Sequence, residues 1–203
     1  MRHKGRLLVL SGPAGVGKGT VCKALLEKEP QIRLSVSETT RPPRPGEVDG
    51  VDYFFVSKAD FEAGISAGNY LEYDHHFDRY YGTPKSYVVQ QLTLGNDVLL
   101  EIDVNGAEQI KKVMPEAITI FLLPPSAKEC KNRIMGRGTE SDEQLRLRWE
   151  RFPDEVNCAY HYDYVVINDT IDRALASIRS IIMSEKLRTP FWEDHIQALL
   201  GGN

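Results

Sequence analysis

A chain of 203 residues, 41% hydrophobic and 27% charged, can bury a sizeable core as one domain with room for smaller inserted lobes. Its net charge of -4 excludes a global basic field for nucleic acid or an acidic membrane, so any recognition of phosphate must be local. Cys22, Cys130 and Cys158 are odd in number and widely spaced, which excludes a disulfide framework or zinc site and predicts reduced thiols. The basic residues 1–5 precede an apolar run of only four, too short for a signal peptide or a membrane span, so a cytoplasmic protein is expected.

The strand-like run 7–10 leads into Gly12-Pro13-Ala14-Gly15-Val16-Gly17-Lys18-Gly19-Thr20, and helix-forming residues 21–28 follow. Strand, Gly-rich loop, Lys and helix in that order are the context of a phosphate loop. The glycines let the backbone curl with its N–H groups inward, the helix N-terminus adds positive potential, and Lys18 supplies a point charge for the outer phosphates. Gly19 stands at the usual hydroxyl position, which makes Thr20 the candidate metal-binding hydroxyl. A Gly-rich turn before an ordinary helix is the bland alternative, disfavoured by the complete order of parts.

Residues 32–37 alternate like a short strand, and Pro42, Pro43 and Pro45 keep the stretch 39–47 extended. Arg41 and Arg44 on that stiff segment suit an anion grip, with a solvated turn as the alternative. Residues 53–56 read as a strand, Ser57 to Asp60 as a capping box opening a helix to Gly68, and 70–74 and 79–81 as further strands. The block 37–87 is thus an inserted β-rich lobe whose tyrosines suit a wet cleft or the rim of a core.

A helix over 86–94 and a turn at 95–97 precede the apolar run 98–103, predicted as a strand buried on both faces of a parallel sheet. Asp103 at its carboxyl end either holds water around a metal ion or caps the next helix. Residues 118–123 form another buried strand, and a capping box from Ser126 to Glu129 opens a helix running to Arg133 and the Gly136-Arg137-Gly138 break. Arg137 and the charged stretch with Arg146, Arg148 and Arg151 fit either a lid closing over phosphates or a solvated helix with paired charges. Pro153 is expected to kink or end that helix. The last core strand is 164–167, and Asn168 at its end fits base contact or turn formation. A helix over 171–186 precedes a short tail helix with Thr189 as N-cap, Pro190 first and Gly201 as stop, whose Phe191, Trp192, Ile196 and Leu199 serve packing or self-association.

Four motifs stand in one order: the phosphate loop; Ser37-Glu38-Thr39-Thr40-Arg41-Pro42-Pro43-Arg44-Pro45-Gly46-Glu47; Tyr80-Tyr81-Gly82-Thr83; and Arg137-Gly138-Thr139-Glu140-Ser141. Together they resemble the guanylate kinase family, over residues 7–186, and the second motif is the most diagnostic. The resemblance implies an α/β fold: a P-loop NTPase core with a parallel sheet flanked by helices (1–36, 86–130 and 161–188), a β-rich GMP-binding lobe (37–85), a helical lid (131–160) and a tail (189–203). It implies transfer of the γ-phosphoryl of ATP to GMP, with Lys18, Arg41, Arg137 and Arg148 catalytic. ATP would be bound by residues 12–20, Arg133, Arg137 and Asn168, with Mg2+ near Thr20 largely through water. Ser37 and Glu72 would read guanine, Arg41, Arg44, Tyr53 and Tyr81 would hold the GMP phosphate, and Thr83, Glu101, Asp103 and Arg148 would share that site. The partners expected are these two nucleotides, with no nucleic acid or membrane, and a homo-oligomer is an open option. A peptide-binding scaffold domain, a kinase for another nucleoside monophosphate and a P-loop switch or motor are the rival readings; the carboxylate of Glu72, matching the adjacent N1–H and amine of guanine, and the segment from Arg41 to Arg44 favour GMP.

Overall fold

A computed structural model describes residues 5–76, 78–135 and 142–201, apart from the side chains of 76, 134, 135, 142–145, 147 and 148. In chain order the strands are β1 (Leu7–Ser11), β2 (Arg33–Leu34), β3 (Glu38–Thr39), β4 (Phe54–Phe55), β5 (Tyr70–His76), β6 (Arg79–Pro84), β7 (Val98–Glu101), β8 (Ile118–Leu123) and β9 (Tyr164–Ile167). The α-helices are α1 (Lys18–Lys28), α2 (Lys58–Ser66), α3 (Lys85–Thr93), α4 (Val104–Val113), α5 (Ala127–Met135), α6 (Asp142–Asn157), α7 (Ile171–Lys186) and α8 (Glu193–Leu199).

Among the described residues the core is a five-stranded parallel sheet in the order β2-β7-β1-β8-β9. The period of two in β1 explains its two-sided packing. Leu8 and Leu10 point to one face and pack with Val21, Leu25 and Ile178 of α1 and α7. Leu7 and Val9 point to the other and pack with Val88, Leu92 and Ile110 of α3 and α4. Every residue of β1 is buried, as a strand covered on both faces requires.

The second sheet, in the order β4-β3-β6-β5, is mixed: β3 pairs parallel with β4 and antiparallel with β6, which pairs antiparallel with β5. Its small core is an aromatic stack, with Phe61 of α2 4.4 Å from Tyr70 and 5.1 Å from Tyr80, ring centre to ring centre. This sheet docks on α4. Gln109 donates from Nε2 to the Tyr73 carbonyl (2.9 Å), and Asn105 donates from Nδ2 to Asp74 Oδ2 (2.7 Å).

Several expectations need correction. Helix α6 runs through Pro153 and neither stops nor divides there, because the fixed φ of proline is helical and only one backbone donor is lost. Thr189 is not a helix N-cap: it opens a 3-10 turn, Thr189–Trp192, whose cap position is Arg188, and α8 follows. β2, expected over 32–37, pairs over two residues only; β9 spans 164–167 as expected, at the edge of the core sheet with Val165 and Ile167 exposed. The strand expected over 98–103 ends at Glu101, because Asp103 is already the N-cap of α4. No helix among the described residues is long and apolar enough to cross a membrane.

Candidate active site

The loop after β1 needs conformations that only glycine accepts readily. Gly12 has φ 149°, and a Cβ there would lie 2.5 Å from the Leu122 carbonyl oxygen; Gly17 takes φ 97° at the cap position of α1. No side chain caps α1 and no acid stands in its first turn, so its leading N–H groups are left for an anion. Neighbouring elements brace the loop from behind. Asn168 is buried at the end of β9 and donates from Nδ2 to the Val16 carbonyl at 2.8 Å. Arg133 of α5 donates to the carbonyls of Val16 (3.3 Å) and Asn168 (3.4 Å), and the Cys130 thiol to that of Ala14 (3.1 Å).

Lys18 folds back so that Nζ donates to the carbonyls of Gly12 (2.6 Å) and Pro13 (3.4 Å). Burial lowers its pKa, opposed by the negative charges of Glu101, Glu155 and Asp103. Glu155 of α6 accepts the Ala14 N–H at 2.9 Å, so a carboxylate already contacts the cradle. Glu101 lies across from Gly19, where a Cβ would be 3.4 Å from Oε1. Asp103 accepts the Gly106 N–H at 2.9 Å, so the capping half of its two readings is real; it also lines the cleft. Thr20 is exposed, one residue beyond the last loop position that lines the cleft.

On the opposite wall, Arg41 is almost fully buried. Its guanidinium meets Glu47 through two hydrogen bonds (2.9 and 2.8 Å) and lies 5.4 Å from the ring centre of Tyr53 and 5.8 Å from that of Phe55. Tyr81 packs edge-on against Tyr53 at 6.0 Å. Burial, with the charge of Glu101 next, pushes the Tyr53 phenol up to about 12. Glu72 on β5 is buried and accepts from the Thr83 hydroxyl at 2.5 Å. Burial raises its carboxyl to about 7, offset by the Thr83 hydrogen bond and reinforced by Asp103 and Asp74.

The two walls face one cleft of about 1180 Å³, lined by Gly12, Lys18, Ser37, Arg41, Arg44, Tyr53, Glu72, Tyr81, Glu101 and Asp103 among others. Residues far apart in sequence thus meet as the motifs suggest. Pro13, Val16, Thr83 and Asn168 sit in a supporting layer behind these groups. Arg137 lies outside the described residues, and so does the side chain of Arg148, whose backbone is in α6. Two functional contacts escaped the sequence. Glu47 was visible only as the end of a motif, and Glu155, on a charged helix, carried no local signal.

A parallel sheet whose first strand ends in a glycine loop, with Lys18 leading the next helix, is the fold of the P-loop nucleoside triphosphate proteins. Comparison with known proteins narrows this. The family model for guanylate kinase matches residues 4–185. A guanylate kinase of Caldanaerobacter subterraneus subsp. tengcongensis is 52% identical over 188 residues, 93% of this chain and 91% of that protein. One of Clostridioides difficile is 52% identical over 183 residues, 90% of this chain and 89% of that protein. The crystal structure of guanylate kinase from Anaplasma phagocytophilum superposes with a TM-score of 0.75 at 33% identity, covering 93% of this chain and 89% of that one. The chain belongs to the guanylate kinase family.

Proposed function

We infer that this protein is an ATP:GMP phosphotransferase, a nucleoside monophosphate kinase that makes ADP and GDP. The observation that carries the reading is the placement of the buried Glu72 carboxylate, held by Thr83, on the same cleft as Lys18 and its anion cradle. Guanine presents N1–H and an exocyclic amine side by side, and one carboxylate accepts from both. Adenine has no such pair, and buried polar sites reject an analogue that leaves them unpaired.

Residues 12–20 hold the ATP phosphates, Arg133 and Asn168 act by bracing that loop, and Arg137 and Arg148 are carried over from the family as lid arginines. Ser37 and Glu72 read the base, with Thr83 fixing Glu72. Arg41, Arg44, Tyr53 and Tyr81 grip the acceptor phosphate, while Glu101 and Asp103 border both substrates. The core, the lobe 37–85 and the lid 131–160 are the corresponding functional units. The acceptor phosphate has a second pKa of about 6, so it is mostly a dianion at neutral pH and needs no general base. One of its oxygens bonds to the γ-phosphorus as the bond from that phosphorus to the bridging oxygen breaks, and ADP leaves with the electron pair. Catalysis is then positioning and charge neutralisation, in which Lys18 and the arginines face the spreading negative charge. The carboxylates of Glu101 and Asp103, which line the cleft, are hard oxygen donors of the kind Mg2+ takes and would hold it largely through water, whereas the exposed Thr20 hydroxyl, outside that lining, would reach it only through water. When bound with ATP, the ion would neutralise phosphate charge. Free thiols at all three cysteines suit a reducing, cytoplasmic setting, and the exposed Leu199 and Leu200 suit self-association.

The test is a coupled ADP-release assay with Mg-ATP and, separately, GMP, dGMP, AMP, CMP and UMP. Turnover confined to the two guanine nucleotides is expected. Turnover with AMP instead would overturn the specificity, and GMP binding without turnover would make this a binding domain.

A further inference from the structure

Glu72 has a neighbour that none of the recognised motifs includes. Its carboxylate lies against the first turn of α4, at Gly106. A Cβ built on Gly106 would stand 2.6 Å from Glu72 Oε2, 3.1 Å from its Cδ and 3.4 Å from the Ile102 methyl. Real Cβ atoms essentially never approach that closely, so one partner would have to move. The Gly106 backbone is anchored, because its N–H donates to Asp103 Oδ1. Ile102 is packed in the core, which leaves the carboxylate as the group that yields. That carboxylate is fixed from the other side by the Thr83 hydroxyl at 2.5 Å, and Thr83 is fully buried. Its position is therefore set from two sides, by the Thr83 hydroxyl and by the space that the missing side chain at 106 leaves.

The backbone of Gly106 does not itself call for glycine. Its φ is not positive, and it sits inside a helix, where glycine is less favourable than alanine. The chain thus keeps a helix-weakening residue at the point where any side chain would strike the base-reading carboxylate.

We propose that Gly106 is a specificity-determining residue, which sets how deeply the Glu72 carboxylate seats against α4 and so whether both its oxygen lone pairs reach the two guanine donors. This rests on the GMP-reading role given to Glu72 above. A carboxylate pushed away from α4 loses alignment with one donor of the pair and keeps the other. Hypoxanthine is the natural probe, since IMP retains N1–H and lacks the exocyclic amine.

The experiment compares kcat/KM for GMP and for IMP in the wild type, Gly106→Ala, Glu72→Gln and the double variant. In Gly106→Ala the GMP-to-IMP ratio should fall roughly tenfold, one charge-assisted hydrogen bond's worth, with KM for ATP unchanged. A merely structural role would lower both nucleotides together and leave the ratio alone. In the Glu72→Gln background the same substitution should have little further effect on the ratio, because the two residues act through one contact. An unchanged ratio in folded Gly106→Ala overturns the proposal, as does full additivity in the double variant. Loss of the folded state in Gly106→Ala also overturns it, since Gly106 would then be a packing residue. Failure of the wild type to use GMP at all would instead strike the functional reading beneath it.

Discussion

The Glu47 carboxylate grips both ends of the Arg41 guanidinium, with Oε2 2.9 Å from Nη1 and Oε1 2.8 Å from Nη2. The same carboxylate accepts the Arg44 backbone N–H at 2.7 Å. One acid therefore ties together the two arginines of the proline-rich segment. The fork is planar and the flanking rings of Tyr53 and Phe55 restrict it further, so Arg41 is presented in one orientation before any ligand arrives.

Replacing Glu47 by Gln should release that orientation while leaving both arginines in place. A hydrogen bond to a charged group contributes about 1.5–3 kcal/mol, so KM for GMP should rise roughly tenfold or more, at about 1.4 kcal/mol per tenfold. KM for ATP should stay put. Initial rates at saturating ATP check this, and an unchanged KM for GMP would remove Glu47 from the acceptor site.

Glu72 predicts a pH dependence with a definite sign. Its carboxyl, raised to about 7 chiefly by burial, must be ionised to accept from guanine. GMP affinity should strengthen as pH rises through about 7, and Glu72→Gln should lack that limb. The phosphate of GMP titrates in both proteins and so cancels in the comparison. Stability moves the other way. The folded state holds this proton more tightly than the unfolded chain, whose carboxyl titrates near 4.5, so the stabilisation is complete below about 4.5 and lost as pH rises through about 7. Glu72→Gln should therefore gain on the wild type between pH 5 and pH 8, by roughly 2–4 °C in Tm for each kcal/mol. A constant Tm difference across that range would contradict it.

Lys18 is half-buried against its own loop carbonyls, and desolvation disfavours its charge there, so it serves the fold poorly. Lys18→Ala should lower kcat by about a hundredfold or more, the size expected for losing one preorganised group that meets developing charge. Thermal unfolding should not drop. Loss of both together would mean a structural lysine.

Asp103 separates capping from charge. Asparagine caps helices as well as aspartate does, so Asp103→Asn should keep α4 and change stability by less than about 0.5 kcal/mol. Its missing charge should still lower kcat, by about tenfold, and shift the pH limb of Glu72 downward, since Asp103 helps to raise that carboxyl. Unchanged kcat would confine Asp103 to the cap seen at Gly106.

Pro153 costs α6 a hydrogen bond without ending it. Pro153→Ala restores an N–H that can reach the Trp149 carbonyl, and it should stabilise the protein by about 1–3 kcal/mol. Chemical denaturation measures the gain; a loss would show that the proline shapes the helix to a purpose.

Local chemistry made much of this molecule legible in advance. The glycine loop before a basic helix start, the period of two in β1, the capping boxes at Ser57 and Ser126 and the proline-stiffened arginine segment all act within a few residues, and each appears where local rules place it. The limits of β2 were not legible, because strand ends depend on which neighbour supplies hydrogen bonds, whereas β9 spans 164–167 as expected. Nor was the continuation of α6 past Pro153, where the local rule expected the helix to kink or end and it does not end.

The sequence by itself determined the kind of chemistry, since a phosphate cradle and a pair of stiffly held arginines are short-range patterns. Only the tertiary structure decided how those parts meet: Glu47 closing on Arg41, Glu155 reaching the Ala14 amide across 141 positions of chain, and Gly106 yielding its space to Glu72. These relationships depend on the packing of α4, α6 and the second sheet around the cleft, and no periodicity or spacing along a chain encodes the distance between two elements that fold together from its far ends.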